Sequence, residues 1–162
     1  MMKAIFLDVD GVLNSDEYFD SVSDSDDDSI ENEIDMDKIK LLKEAVDLTD
    51  AQVVLSSSWR YTRKAQSLRE LLIENGIVTD VTPFLQNKRG LEIKSWLKNN
   101  PDVDDFVILD DEVFDSYDDF LLSKLIKTSD SNGKGFGRGL LPKDVDKIVK
   151  QLENNKNKNS CK

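Results

Sequence analysis

Apolar residues follow two rhythms along this chain. Short unbroken runs stand in "KAIFL" (3–7), "AQVVL" (51–55) and "DFVIL" (105–109), with shorter ones in "IVTDV" (77–81) and "KLIKT" (124–128). Compact apolar runs of this length predict buried strands. Between them the spacing changes to three and four. Met36, Ile39, Leu42 and Val46 predict one helix, and Ala65, Leu68 and Leu72 a second that stops at Asn75-Gly76. Ile93, Trp96 and Leu97 share a face within 90–100, and residues 115–123 form a further candidate helix. Val145, Ile148, Val149 and Leu152 predict a last one, with Pro142 near its start, where the missing N–H is harmless. Strands alternating with helices predict a three-layer α/β, Rossmann-like fold. Its mostly parallel sheet of about five strands carries helices on both faces. Residues 1–152 are expected to form a single domain, and the polar end, 153–162, a disordered tail.

Charge breaks this regular picture in one place. Residues 16–37 hold eleven Asp or Glu and no Lys or Arg, which accounts for the whole net charge of −11. This stretch lacks periodicity and reads as an acidic loop or flap. Within it "DSDDDS" (24–29) imitates a calcium loop but has Ser29 where that loop needs glycine. The rest of the chain is formally neutral and has no basic stripe, so tight binding of duplex nucleic acid is not expected. No segment approaches the ~20 apolar residues of a membrane span. There is no histidine and one cysteine, Cys161, which excludes histidine bases, Ser-His-Asp triads, His- or Cys-held zinc and a disulfide framework. A reducing, cytoplasmic setting is the expectation.

What remains for chemistry is carboxylates, hydroxyls and cations, and they gather after strands. Asp8 and Asp10 follow the first, Ser56, Ser57 and Ser58 the second, Asp110 and Asp111 the fourth. Ligands of open parallel sheets bind outside the carboxyl ends of the strands. If these strands are neighbours, four carboxylates converge, and like charges that close call for a cation. Oxygen ligands alone point to a hard ion, for which Mg²⁺ is suited. Each feature also has a plain structural explanation. Asp and Gly make turns, serines cap helices, and Lys88 and Arg89 are compatible with ordinary surface charges.

The motifs "DVDGVL", "VVLSSSWR", "KRGLEI" and "VILDDE", in this order and spacing, resemble the haloacid dehalogenase (HAD) superfamily of phosphohydrolases. More narrowly, they resemble the HAD domain of "Swiss Army Knife" RNA-repair proteins. The resemblance covers about residues 3–150. It implies that Asp8 is a nucleophile giving an aspartyl-phosphate, and that Asp10 is the general acid and then base. It implies Mg²⁺ held by Asp8, the backbone carbonyl of Asp10 and Asp110, with Asp111 either a further ligand or a support to the others. Gly11 would provide the sharp turn, Ser56 and the Ser57 N–H would hold phosphoryl oxygens, and Arg89 or Lys88 would neutralise the phosphoryl group, with Lys94 a more distant candidate. Arg60 would hold a second phosphate or the leaving group, or else form a structural salt bridge. Trp59 reads as packing in preference to base stacking.

Few residues separate Ser15 from the first predicted helix, and "TPFLQN" (82–87) leaves no room before the third. The domain is therefore expected to lack a large cap. Open sites in this superfamily accept phosphate on larger partners, so the expected substrates are a nucleic acid end, a nucleotide or a phosphoprotein. A non-catalytic phosphate-binding module is the alternative. A phospho-relay receiver is a poor match, because 79–83 offers no phospho-acceptor in a buried strand. "GKGFGRG" (133–139) is not a Walker A loop. It reads as a flexible loop from which Lys134 or Arg138 could touch substrate.

Overall fold

A computed structural model of the chain describes residues 2–22, 29–130 and 136–153. Five parallel strands form one sheet: β1 (Met2–Leu7), β2 (Gln52–Leu55), β3 (Thr79–Val81), β4 (Val103–Asp110) and β5 (Leu125–Lys127). Their order is β3-β2-β1-β4-β5. The chain moves outward from β1 to β3, then returns to lay β4 on the other side of β1. The crevice at that reversal is where such folds bind ligands. The helices are α1 (Asp16–Ser21), α2 (Met36–Thr49), α3 (Ala65–Glu74), α4 (Arg89–Asn99), α5 (Asp119–Leu122) and α6 (Pro142–Glu153).

Side-chain parity along β1 divides the core. Ile5 and Leu7 join Val53, Leu55, Val107 and Leu109 against apolar residues of α2, α3 and α6. Ala4 and Phe6 join Val54, Phe106 and Ile108 against Ile93 and Trp96 of α4 and Leu121 of α5. Phe6 meets Trp96 and Phe106 edge-on at 5.4 and 5.6 Å. Buried on both faces, β1, β2 and β4 read as near-continuous apolar runs, whereas the edge strands β3 and β5 are only partly buried. Among the described residues every strand and four of the helices, α2, α3, α4 and α6, lie where the pattern predicts them, and α5 does so in part.

Two expectations are corrected in detail. The acidic stretch 16–37 is not all loop: it contains α1 and a 3₁₀ turn at Ile30–Asn32. Ser15 accepts from the Tyr18 N–H at 3.1 Å, and Asp16 and Glu17 favour the positive end of the short helix. Ile34 is fully buried in the core, and Asp35 caps α2. The helix expected at 115–123 shrinks to α5, because residues 112–117 instead form the turn that brings Phe114 and Tyr117 to the site (Tyr117 N–H to Phe114 O, 2.9 Å). The readings placed on 24–28, Lys134, Cys161 and most of 153–162 lie outside the described residues.

Candidate active site

Three strand ends lie level. Leu7 pairs with Leu55 on one side and Leu109 on the other, so Asp8, Ser56 and Asp110 follow at the same height. Each continues the parity of Phe6, Val54 and Ile108, toward α4. Arg89, the first residue of α4, meets them: one guanidinium nitrogen lies 3.1 Å from Asp8 Oδ1 and 2.7 Å from Asp110 Oδ2. Gly90 lets α4 come this close, since a Cβ there would lie 2.1 Å from the Ser116 carbonyl oxygen. Phe114 covers the guanidinium, 4.4 Å from its ring centre. Asp110 also accepts from the Tyr117 hydroxyl at 3.1 Å and the Glu112 N–H at 3.1 Å.

Asp111 completes a trio with Asp8 and Asp110, whose carboxylate oxygens lie within 4.8 Å of one another. Gly11, at φ +76°, makes room: a Cβ there would sit 2.4 Å from Asp111 Oδ2. Burial, then Asp110, push the Asp8 carboxyl well above the usual carboxylate range; Arg89 pulls it back only in part. Burial and Asp110 raise Asp111 to about 7. Arg89 is held protonated by Asp8 and Asp110, and Tyr117 is held neutral by burial and Asp110.

Asp10 sits apart from the trio. Its carboxylate accepts from Asn14 Nδ2 at 3.0 Å and from the Trp59 indole Nε1–H at 3.2 Å. Asn14 is itself locked, donating to the Glu33 carbonyl and accepting from the Gly11 N–H. The two carboxylates of "DVDG" therefore have different surroundings: Asp8 among anions and one cation, Asp10 between two neutral donors.

The Ser56 hydroxyl is fully buried at this edge and has no partner among the described residues. Ser57 uses its hydroxyl to cap the 3₁₀ turn Ser58–Tyr61, accepting from the Trp59 N–H at 3.2 Å. Ser57 and the exposed Ser58 line a cavity of about 200 Å³ together with Asp8, Asp10, Arg89, Asp111, Glu112, Phe114 and Phe136.

Not every candidate residue comes to this cavity. Arg60 turns inward, of its two readings taking the salt-bridge geometry. It donates to the Ser56 and Ser57 carbonyls at 2.6 and 2.8 Å and pairs with buried Glu92 at 2.6 Å, while its Nε is buried without a partner among the described residues. Lys88 precedes α4, is exposed, and lines a separate surface cavity with Asn87, Phe114, Asp115 and Ser116. Lys94 pairs with Asp118 on the surface. Arg138 is engaged by Asp144 and Asp130. Sequence reasoning passed over Asn14, Glu92, Phe114 and Tyr117, and for Trp59 it weighed packing against base stacking without foreseeing the bond to Asp10. The detectable signals were slight: an Asn four residues after Asp10, and an acid in the first turn of α4.

A profile of the HAD domain in Swiss Army Knife RNA repair proteins matches residues 4–134. The chain belongs to this family. No curated protein and no solved structure matches it. The five-stranded parallel sheet agrees with the HAD fold. HAD membership points to a phosphohydrolase, and HAD domains typically use Mg²⁺. Among the described residues no helix is long and apolar enough to cross a membrane.

Proposed function

We propose that this HAD-domain protein is a Mg²⁺-dependent phosphomonoester hydrolase acting through an aspartyl-phosphate on Asp8. The observation that carries the reading is the contrast between Asp8 and Asp10. Two carboxylates two residues apart, in environments this different, are suited to two different jobs. Asp8 Oδ attacks phosphorus as the bond to the leaving oxygen breaks, and Asp10 delivers a proton to that oxygen. Water then attacks the phosphorus of the aspartyl-phosphate while Asp10 takes a proton from it. Phosphate leaves and Asp8 is restored. Arg89 neutralises charge on the nucleophile and the phosphoryl oxygens, and the unpartnered Ser56 hydroxyl has a hydrogen bond to offer one of them. Such positioning and charge stabilisation are most of what phosphoryl transfer asks of a protein.

The donor set suits Mg²⁺. Asp8, Asp110 and Asp111 are hard oxygen donors, three negative charges against the one of Arg89, and the raised carboxyls of Asp8 and Asp111 call for a further cation to stay ionised. These three residues would hold the ion, which supplies further neutralisation of the phosphoryl charge. The substrate is a phosphorylated nucleotide, nucleic acid end or protein. Hydrolysis of 4-nitrophenyl phosphate with Mg²⁺ tests the mechanism: the wild type turns it over and Asp8→Asn does not. Equal activity in the two proteins would remove Asp8 as the nucleophile. Absence of turnover on any phosphate ester would favour a binding module that keeps the fold.

A further inference from the structure

We infer that a second cavity, lined by Asp10 but by none of the carboxylate trio, binds the leaving group, and that the leaving group it fits is a nucleoside. This rests on Asp10 being the proton donor. A proton donor stands beside the leaving oxygen, so the group bearing that oxygen lies beyond it. Asp10 and Phe136 line both cavities. The first is small and charged. The second, about 420 Å³, is walled by Phe19, Trp59 and Phe136, with Thr62, Arg63, Lys64 and Glu33. Aromatic walls with a few polar groups, at this volume, are the make-up of a small-molecule site. A small polar leaving group would leave the rings facing water.

The aromatic wall is built into the fold. Asp16, at the start of α1, accepts from the N–H groups of Phe136 and Gly137 at 2.9 and 3.1 Å, and its own N–H donates to the Gly137 carbonyl at 3.0 Å. That clamp ties α1 to the loop ahead of α6 and sets Phe19 against Phe136, ring centres 5.2 Å apart. The third ring, Trp59, is fixed through its indole N–H to Asp10 itself. The acidic segment thus supplies a piece of the pocket and does more than repel anions.

The polar wall chooses between aromatic leaving groups. Lys64 lies 5.8 Å from the Trp59 ring centre and pairs with Glu33; Arg63 adjoins it. Aromatic faces beside cations are what single nucleic acid strands use, base on ring and phosphate on cation. A nucleoside places its sugar at Asp10 and its base against the rings, with any next phosphate toward Arg63 and Lys64. A tyrosyl ester puts its ring directly at Asp10, with no sugar to carry it on to the aromatic wall. In the reaction the phosphoryl group passes from the nucleoside oxygen to Asp8, that oxygen takes the Asp10 proton, and the nucleoside departs with a free hydroxyl.

The test compares adenosine 5′- and 3′-monophosphate with ribose 5-phosphate and phosphotyrosine, in the full-length wild type and in Phe19→Ala and Phe19→Leu. The expected result is a kcat/KM at least about tenfold higher for a nucleotide than for ribose 5-phosphate, the scale of one base–aromatic contact. That ratio falls by about the same factor in Phe19→Ala, through KM. Phe19→Leu keeps the apolar bulk and loses the ring, and it lowers the ratio too. Calorimetry of adenosine monophosphate binding to Asp8→Asn, with and without Phe19→Ala, gives a readout that needs no turnover. Phe19-dependent binding by a protein that hydrolyses nothing would uphold the pocket and sink the hydrolase reading. An unchanged ratio and unchanged binding in the Phe19 variants would overturn the pocket. Phosphotyrosine as the best substrate, with the Phe19 dependence falling on it, would overturn the nucleoside.

Discussion

Two arginines are buried near the ends of β1 and β2, and they differ in the company they keep. Arg60 faces one carboxylate, Glu92, and two carbonyls, those of Ser56 and Ser57. Glu92 in turn accepts from the Leu85 N–H at 2.9 Å. One charge meets one charge, and the pair fastens the serine turn to α4. Arg89 faces Asp8 and Asp110, with Asp111 joined to them: one positive charge against three negative. The same ion-pair chemistry makes a brace where the charges balance and a site that draws cations where they do not. Balance, more than burial, separates the structural arginine from the functional one.

The sharpest way to break this comparison is to change each region and read both activity and stability. Asp8→Asn is expected to lower phosphatase activity by at least about a thousandfold, as loss of a covalent nucleophile does. Its melting temperature should hold or rise, because one charge leaves a surplus. Turnover assays and calorimetry on the same preparation decide it. A large fall in stability would mean that the trio is balanced after all.

Arg60→Ala should do the reverse. Removing one partner of a buried pair leaves Glu92 buried and unpaired, at a cost of about 3–5 kcal/mol. Urea unfolding would register that loss. A variant as stable as the wild type would show that water reaches Glu92 and that the brace is not one.

The surplus charge also has a pH signature. Asp111 titrates near 7 in the folded protein against an ordinary value of 3.8, and Asp8 is raised in the same direction. Between those limits the folded state holds more protons on Asp111 than the unfolded chain does, so the Asp111 contribution to metal-free stability falls as pH climbs from about 4 to about 7, and Asp8 adds a fall of the same sign. Saturating Mg²⁺ should flatten that slope and raise the melting temperature most at the upper end. Melting curves across this range, with EDTA and with Mg²⁺, measure it. A slope indifferent to Mg²⁺ would place the ion elsewhere.

The sequence carried the sheet because strands buried on both faces leave an unmistakable apolar run, as in "AIFL" and "FVIL". It brought Asp8, Asp110 and Asp111 into view because they directly follow such runs, and neighbouring parallel strands put their ends together. It also put Arg89 ahead of Lys88, through its place next to Gly90, and Arg89 is the one that stands beside Asp8 and Asp110. What it did not carry depends on contacts distant in the chain. Trp59 reaches Asp10 across 49 positions, and Arg60 reaches Glu92 across 32. No local spacing encodes either pair. Helix α1 escaped notice because Tyr18 and Phe19 are too few to make a period, and its stability comes from Ser15 and from Asp16 on the 136–137 backbone.

The smallest expected effect belongs to Trp59, and it is the most diagnostic for Asp10. Trp59→Phe keeps an aromatic ring and deletes the N–H that holds Asp10 Oδ2. A proton donor matters in proportion to how badly the leaving group needs its proton. Hydrolysis of an alkyl phosphate should therefore slow by about tenfold, a part of the roughly 10²–10⁴ that general acid catalysis contributes, because Asp10 itself stays in place. Hydrolysis of 4-nitrophenyl phosphate, whose leaving group departs unaided, should change little. The slope of log kcat against leaving-group pKa would steepen accordingly. If Trp59 only packed, both substrates would lose the same factor and the slope would stay where the wild type has it. A steeper slope with an unchanged KM for 4-nitrophenyl phosphate would tie the indole to the proton on Asp10 and to nothing else in the cavity.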